Sequence, residues 1–239
     1  MTAPPAPADS TPLPKLIAWR NAMVMPLLGC IMGYGGFAIL GKFLPSRMGL
    51  FEAAVVLQLY FAAALAMILT IIIVWQRSRG LSLGDLGWRR RTTRTAIAIA
   101  LIMGALYVTG AYLGARQLLK DVDVLEITLV RLALVPVGIF MAIAEETMMR
   151  GFFMTELHRA RVSAWLQIVA SGACSAVYHS LQDPSLVGFL PSFVLFTLHA
   201  GLYVLGKRSL APVSLAHGIY NVFGEPYLLM MAMAAMSRQ

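Results

Sequence analysis

Two carboxylates stand side by side in the stretch AEETMMRG, at Glu145 and Glu146, directly after the apolar run ITLVRLALVPVGIFMAI. Arg150 follows Glu146 by four positions, so on a helix the two share a face and form an ion pair that offsets their burial. Glu145 points about 100° away and needs a partner from another helix or from water. A second polar point is His179 in ASGACSAVYHSL, on a helix lined by Ser171, Gly172, Ala173, Ser175 and Ala176. The third is SLAHGIYNVFG, where His217 and Asn221 are again four apart and project from one helical face, with Gly218 between them leaving room for a substrate backbone. Each cluster alone has a plainer reading: the interfacial end of a helix, a hydrogen-bonded core histidine, a polar contact between helices. Three of them on three helices supply a base, a second proton-handling group and a pair of donors, the set needed for attack of water on an amide.

The elements that must position these groups are membrane spans. Of the 239 residues 59% are hydrophobic and only 13% are charged, with a mean hydropathy of +0.75, which excludes an ordinary soluble domain. Set against a core of ~30 Å, the predicted spans are 23–43, 53–75, 95–114, 127–149, 163–181, 186–205, 210–224 and 226–236. The last two are short and could form one broken or tilted pair, with eight separate spans the preferred count. The expected fold is therefore an all-α polytopic membrane helical bundle of about eight transmembrane helices, six to eight in range. Residues 1–20, opening MTAPPAPADSTPLP, read as a disordered tail without a removable signal peptide, and 21–239 as a single membrane domain. A carboxylate at the centre of a span costs roughly 2.5 to 3.5 kcal/mol on insertion scales, so the buried polar residues need a reason.

Charge sets the orientation. With eight spans, one side carries Lys15, Arg20, the basic loop QRSRGLSLGDLGWRRRTTR, Arg159, Arg161, Lys207, Arg208 and Arg238. The other carries only Lys42, Arg47, Arg116 and Lys120, accompanied by Asp121, Asp123 and Glu126. The first side is therefore cytoplasmic, both termini face in, and a bacterial inner (cytoplasmic) membrane is the expected location. The net charge of +8 is explained by these loops, so nucleic acid is not an expected partner. Cys30 and Cys174 fall in apolar segments and read as small packing residues. His158 reads as interfacial, His199 in LFTLHAGLYV as a core or lipid-facing histidine without a paired residue, and Arg131 as a snorkelling end residue. The spacings Gly29 with Gly33 and Ser171 with Ser175 mark faces where helices approach closely.

The three clusters, in this order, resemble the CAAX prenyl protease and bacteriocin-processing family of intramembrane proteases, also called the Abi or type II CAAX protease family. Its pattern is EExxxR, then FxxxH, then HxxxN. Here Glu145, Glu146 and Arg150 carry the first motif and His217 and Asn221 the third; His179 stands in the second, with Ser175 where the aromatic belongs. That aromatic reads as a packing residue, so no chemical group is missing. The resemblance covers about 127–224, including GKRSLAPVSLAHGIYN. It implies a site within the membrane, open toward the cytoplasm, that cleaves a membrane-associated peptide or protein. On this chain it makes Glu145 the general base, assisted by His179, with Glu146 held by Arg150 and His217 and Asn221 stabilising the oxyanion. Members are commonly labelled metalloproteases, and Glu145, His179 and His217 would be the zinc ligands here. The chain has no HExxH pair, and a metal-independent, glutamate-type mechanism with no cofactor is the preferred reading.

Two other classes compete. A non-catalytic membrane binding or immunity protein would keep the same fold and use the site as a peptide pocket. A transporter would also bury Glu and His near the midplane, but the motifs are not repeated between halves. One tension belongs to the predicted spans. Counted from a turn near Arg161 and Val162, Glu145 and His179 lie at the same depth, about 16 or 17 residues away. Yet Glu145 falls near the cytoplasmic end of its predicted span and His179 near the far end of its own, so a boundary has to move.

Overall fold

A computed structural model describes residues 13–41, 43–89, 91–119, 123, 126–180 and 186–236. Residues 1–12 of the predicted tail lie outside this set, as do Lys42, Arg90, Lys120, Asp121 and Arg238, which entered the assignment of sides. Among the described residues there are nine α-helices and no strand: α1 (Lys15–Gly35), α2 (Leu50–Ser78), α3 (Arg94–Leu118), α4 (Leu129–Glu146), α5 (Phe153–Arg159), α6 (Ala164–Ser180), α7 (Leu186–Leu205), α8 (Leu210–Gly224) and α9 (Tyr227–Met236). The fold is all-α, as the apolar runs predict. Hydroxyl residues start several helices by taking an orphan backbone N–H. Thr93 accepts from Ala96 N, Thr128 from Arg131 N and Ser209 from Ala211 N.

Two boundaries differ from the sequence reading. Helix α1 begins at Lys15, inside the stretch 1–20 read as tail. The fourth predicted span does not stop at Met149: α4 passes through a π-helical turn, Thr147–Phe152, straight into α5 and ends at Arg159. The polar residues at 145–150 imitate a helix end in one dimension, but Glu145, Glu146 and Arg150 are buried against other helices, so nothing forces the helix to stop there. Glu145 therefore lies inside a long helical segment, and the mismatch in depth with His179 disappears.

Three helices are long and apolar enough to cross a membrane, at Lys15–Ser46, Leu50–Ser78 and Arg94–Leu118, and a shorter apolar helix spans Phe189–Leu205. Their outward faces carry Leu27, Ile31, Leu59, Val74, Ile102, Leu106 and Val194, each at least half exposed or nearly so. Such a belt is stable facing lipid rather than water, and the chain is an integral membrane protein.

The helices that carry the polar clusters are tied together by close packing. Helix α8 packs on both α3 and α4, and α6 lies along α7. Gly172 on α6 makes the second contact possible, since a Cβ there would stand 2.9 Å from the backbone N and Cα of Thr197. On α1, a Cβ at Gly29 would stand 3.2 Å from the end of the Met148 side chain, a milder crowding. Gly172→Val is expected to push α6 off α7 and cost about 1–3 kcal/mol, the range for overpacking, read as a lowered thermal midpoint in detergent.

The basic loop after α2 braces α5. Leu83–Leu86 forms a short 3-10 turn closed by Ser82 and Asp85, whose carboxylate accepts from Ser82 N at 2.8 Å and from its hydroxyl at 2.7 Å. Leu86 is fully buried, Thr155 donates to Asp85 O at 3.1 Å, and Leu210 N donates to Gly87 O at 2.9 Å. Gly87 has φ +90° with Arg208 O only 2.8 Å from where a Cβ would sit, a conformation and a space reserved for glycine. Buried Glu156 on α5 receives Arg79 at 2.8 Å and Arg159 at 3.6 Å. Burial alone would raise the Asp85 pKa, but the Ser82 hydrogen bonds and the Arg89 and Arg159 charges outweigh it and hold the carboxyl below its ordinary value. With a lowered folded pKa, this contribution is present above the ordinary carboxyl range and is lost as pH falls through the lowered value. His158 is exposed on this basic turn; partial burial and the Arg208 and Arg89 charges lower its pKa.

Candidate active site

Glu145 and Glu146 close α4 immediately before the π-helical turn, a local widening common at functional sites. The turn releases the Met149 carbonyl, and Ser171 Oγ from α6 donates to it at 2.9 Å. It also places Arg150, 1% exposed, beside Glu146: Nη1 stands 3.2 Å from Oε2 and 3.3 Å from Oε1. Arg150 Nη2 donates to Phe196 O on α7 at 2.8 Å, and the guanidinium lies 5.4 Å from the Phe196 ring centroid. A buried arginine with its charge paired and its second arm on a carbonyl is the arrangement that makes burial tolerable.

The two carboxylates have different surroundings. Glu146 is fully buried, and its Oε1 meets His217 Nδ1 at 2.8 Å and His199 Nδ1 at 3.0 Å. Glu145, 7% exposed, turns the other way, with its Oε2 3.5 Å from His217 Nε2 and 3.6 Å from His179 Nε2. His217 thus sits between the carboxylates, one ring nitrogen toward each. His179 is the most open member of the group, its side chain 27% exposed, and its ring stacks on Phe196 at 4.3 Å and 14°. Asn221 follows His217 by one turn of α8 and donates from Nδ2 to Gly138 O at 3.2 Å. A Cβ at Gly218 would meet nothing within 4 Å. A cavity of about 230 Å³ opens onto Glu145, His179, His217 and Asn221 and is closed on its other sides by Tyr107, Phe196 and Tyr220, among others.

All six residues singled out in the sequence therefore meet in one place, drawn from α4, the π-helical turn, α6 and α8. Three further residues join them. His199, read from the sequence as a core or lipid-facing histidine with no paired residue, is a core histidine whose pair is Glu146 on another helix. Its signal was faint: it follows Phe196 by three positions, so the two share a face of α7. Phe196 supplies from α7 the aromatic surface that Ser175 cannot offer His179. Tyr107 on α3, its ring 5.7 Å from that of His199, had no signal in the sequence.

Two donor sets offer places for a metal. Glu146, His199 and His217 each bring one ligand atom within 4.8 Å of the others, but Glu146 is already engaged by two imidazole nitrogens and by Arg150, whose charge opposes a cation. Glu145, His179 and His217 present a carboxylate oxygen and two Nε2 atoms facing the cavity. His217 Nδ1 on Glu146 matches the outer carboxylate that orients a metal-bound imidazole, so this second set fits zinc.

Residues 127–223 match the family model described as type II CAAX prenyl endopeptidase Rce1-like. The matched segment contains every residue from Glu145 through Asn221 and excludes Tyr107. No curated protein and no solved structure matches the chain.

Proposed function

We propose that this chain, whose residues 127–223 belong to the Rce1-like family of type II CAAX prenyl endopeptidases, is an intramembrane endopeptidase of the glutamate type. The observation that carries the reading is the convergence of Glu145, His179 and His217, from three helices, on one cavity that also holds Asn221. Glu145 takes a proton from water while His179 orients it, and the hydroxide attacks the scissile carbonyl. His217, carrying a proton on Nε2 as well as on Nδ1, and Asn221 Nδ2 donate to the carbonyl oxygen as it gains charge, and the proton held by Glu145 passes to the leaving amine. Glu146 does no proton chemistry; it fixes His217 and neutralises Arg150. A zinc ion bound by Glu145, His179 and His217 would supply Lewis-acid polarisation of the carbonyl and a more acidic water.

The substrate is a membrane-associated peptide or protein cut near the cytoplasmic face of a bacterial inner membrane, with both termini of the enzyme facing the cytoplasm. The side assignment rests on the basic residues of the loop between α2 and α3 and of the turns after α5 and α7. The purified protein in liposomes is tested on a quenched fluorescent peptide ending in a prenylated Cys-aliphatic-aliphatic-X sequence. Hydrolysis by the wild type that survives exhaustive chelation supports the glutamate-type reading; loss on chelation with recovery on adding zinc assigns the metal instead. Saturable binding of the peptide without hydrolysis would make the chain a non-catalytic binder.

A further inference from the structure

We propose that His199 is a positioning residue of the hydrolytic site: with Arg150 it holds Glu146 in the orientation in which that carboxylate engages His217 Nδ1. The starting point is the crowding of one oxygen. Glu146 Oε1 faces His217 Nδ1 at 2.8 Å, His199 Nδ1 at 3.0 Å and Arg150 Nη1 at 3.3 Å, and Glu146 has no exposure to water. A carboxylate paired with arginine only accepts hydrogen bonds, so both imidazoles must carry their proton on Nδ1. Glu146 thereby fixes a proton on Nδ1 of His217 and turns Nε2 toward Glu145.

What holds Glu146 for this task comes from three separate elements. Arg150 reaches it from the π-helical turn of its own helix and His217 from α8, while His199 is the contribution of α7. The His199 ring is boxed by Tyr107 at 5.7 Å, Phe196 at 5.7 Å and His217 at 5.7 Å between centroids, and the residue is 1% exposed. Its Nδ1 is therefore fixed in direction. Its other nitrogen, Nε2, is buried without a hydrogen-bond partner among the described residues. Phenylalanine would fill the same box without burying that unpaired acceptor, whose desolvation is unfavourable. What the histidine has and phenylalanine lacks is the Nδ1 proton, which points at Glu146.

A packing role and a positioning role order two variants oppositely. His199→Phe keeps the ring and loses the N–H; His199→Asn loses ring volume but places an amide N–H near the position of Nδ1. On the prenylated peptide, His199→Phe is expected to lower kcat about 10- to 100-fold with KM within about twofold, as for loss of an outer-sphere partner, and His199→Asn to recover most of it. Equal kcat for His199→Phe and wild type would overturn the proposal. This kinetic arm rests on the protease reading; if the wild type hydrolyses nothing, that reading fails and the second arm alone decides. The chain has four histidines, so histidine-selective 15N NMR in nanodiscs separates their signals. The proposal requires protonated Nδ1 at both His199 and His217, with the His217 signal displaced by His199→Phe and restored by His199→Asn. A proton on Nε2 alone at either residue in the wild type, or a His217 signal indifferent to His199→Phe, would refute it.

Discussion

Glu145→Gln is expected to lower the rate of peptide hydrolysis by about 10²- to 10⁴-fold, the usual contribution of a general base, with little change in KM. The glutamine amide has the size of the carboxylate and can still face His179 and His217, 3.6 and 3.5 Å from the native oxygen, but it cannot accept the proton of the attacking water. Because the change removes a group used in the transition state and not one that binds the ground state, kcat and kcat/KM fall together. The fold should be indifferent: among the described residues Glu145 forms no ion pair with an arginine, so a neutral isostere strands no arginine charge. A thermal midpoint close to that of the wild type, with the loss of turnover, separates this outcome from misfolding.

The largest effect on stability is expected from Arg150→Met. Methionine fills much of the volume but leaves the Glu146 carboxylate, which has no solvent exposure, without its cation and removes the donor to Phe196 O. Breaking one side of a buried ion pair costs about 3–5 kcal/mol because the remaining charge stays desolvated. Unfolding in detergent, followed by the loss of helical signal on heating, should show a markedly lower midpoint than wild type. The double variant Arg150→Met with Glu146→Gln removes the stranded charge and should regain part of that stability without regaining activity, since His217 loses its ionised partner. If Arg150→Met alone melts like the wild type, the pair contributes nothing to the fold.

Much of this site can be read in the chain because its chemistry is laid out at helical spacing. Glu146 with Arg150, and His217 with Asn221, are four apart, and the structure shows each pair on one face of a helical segment. The meeting of Glu145 and His179 follows from counting outward from the turn at 160–163, since two antiparallel helices bring equal counts to equal depth. The end of α4 is illegible for the same reason that the motif is conspicuous. A cluster of charges after an apolar run looks like an interface unless the partners that bury it are known, and those partners lie on α6, α7 and α8. His199 is hidden in a similar way: its partner is 53 positions away in sequence, and a single histidine in an apolar helix carries no mark of it. Phe196 shows how a local pattern can be completed from elsewhere. The ring expected four residues before His179 is replaced by Ser175, and the stacking surface arrives from the neighbouring helix instead. Tyr107 lies beyond the family match altogether, on a helix whose sequence reads only as a span.

Proteolysis by this chain is tested in cells that carry either the wild type or Glu145→Gln at matched expression. Peptide termini of the membrane proteome are identified in both. The account predicts new termini that appear only with the wild type, in segments at the cytoplasmic face of the membrane, and these would name the substrate as well. Identical sets of termini across several growth conditions would rule out proteolysis and leave the cavity as a binding pocket.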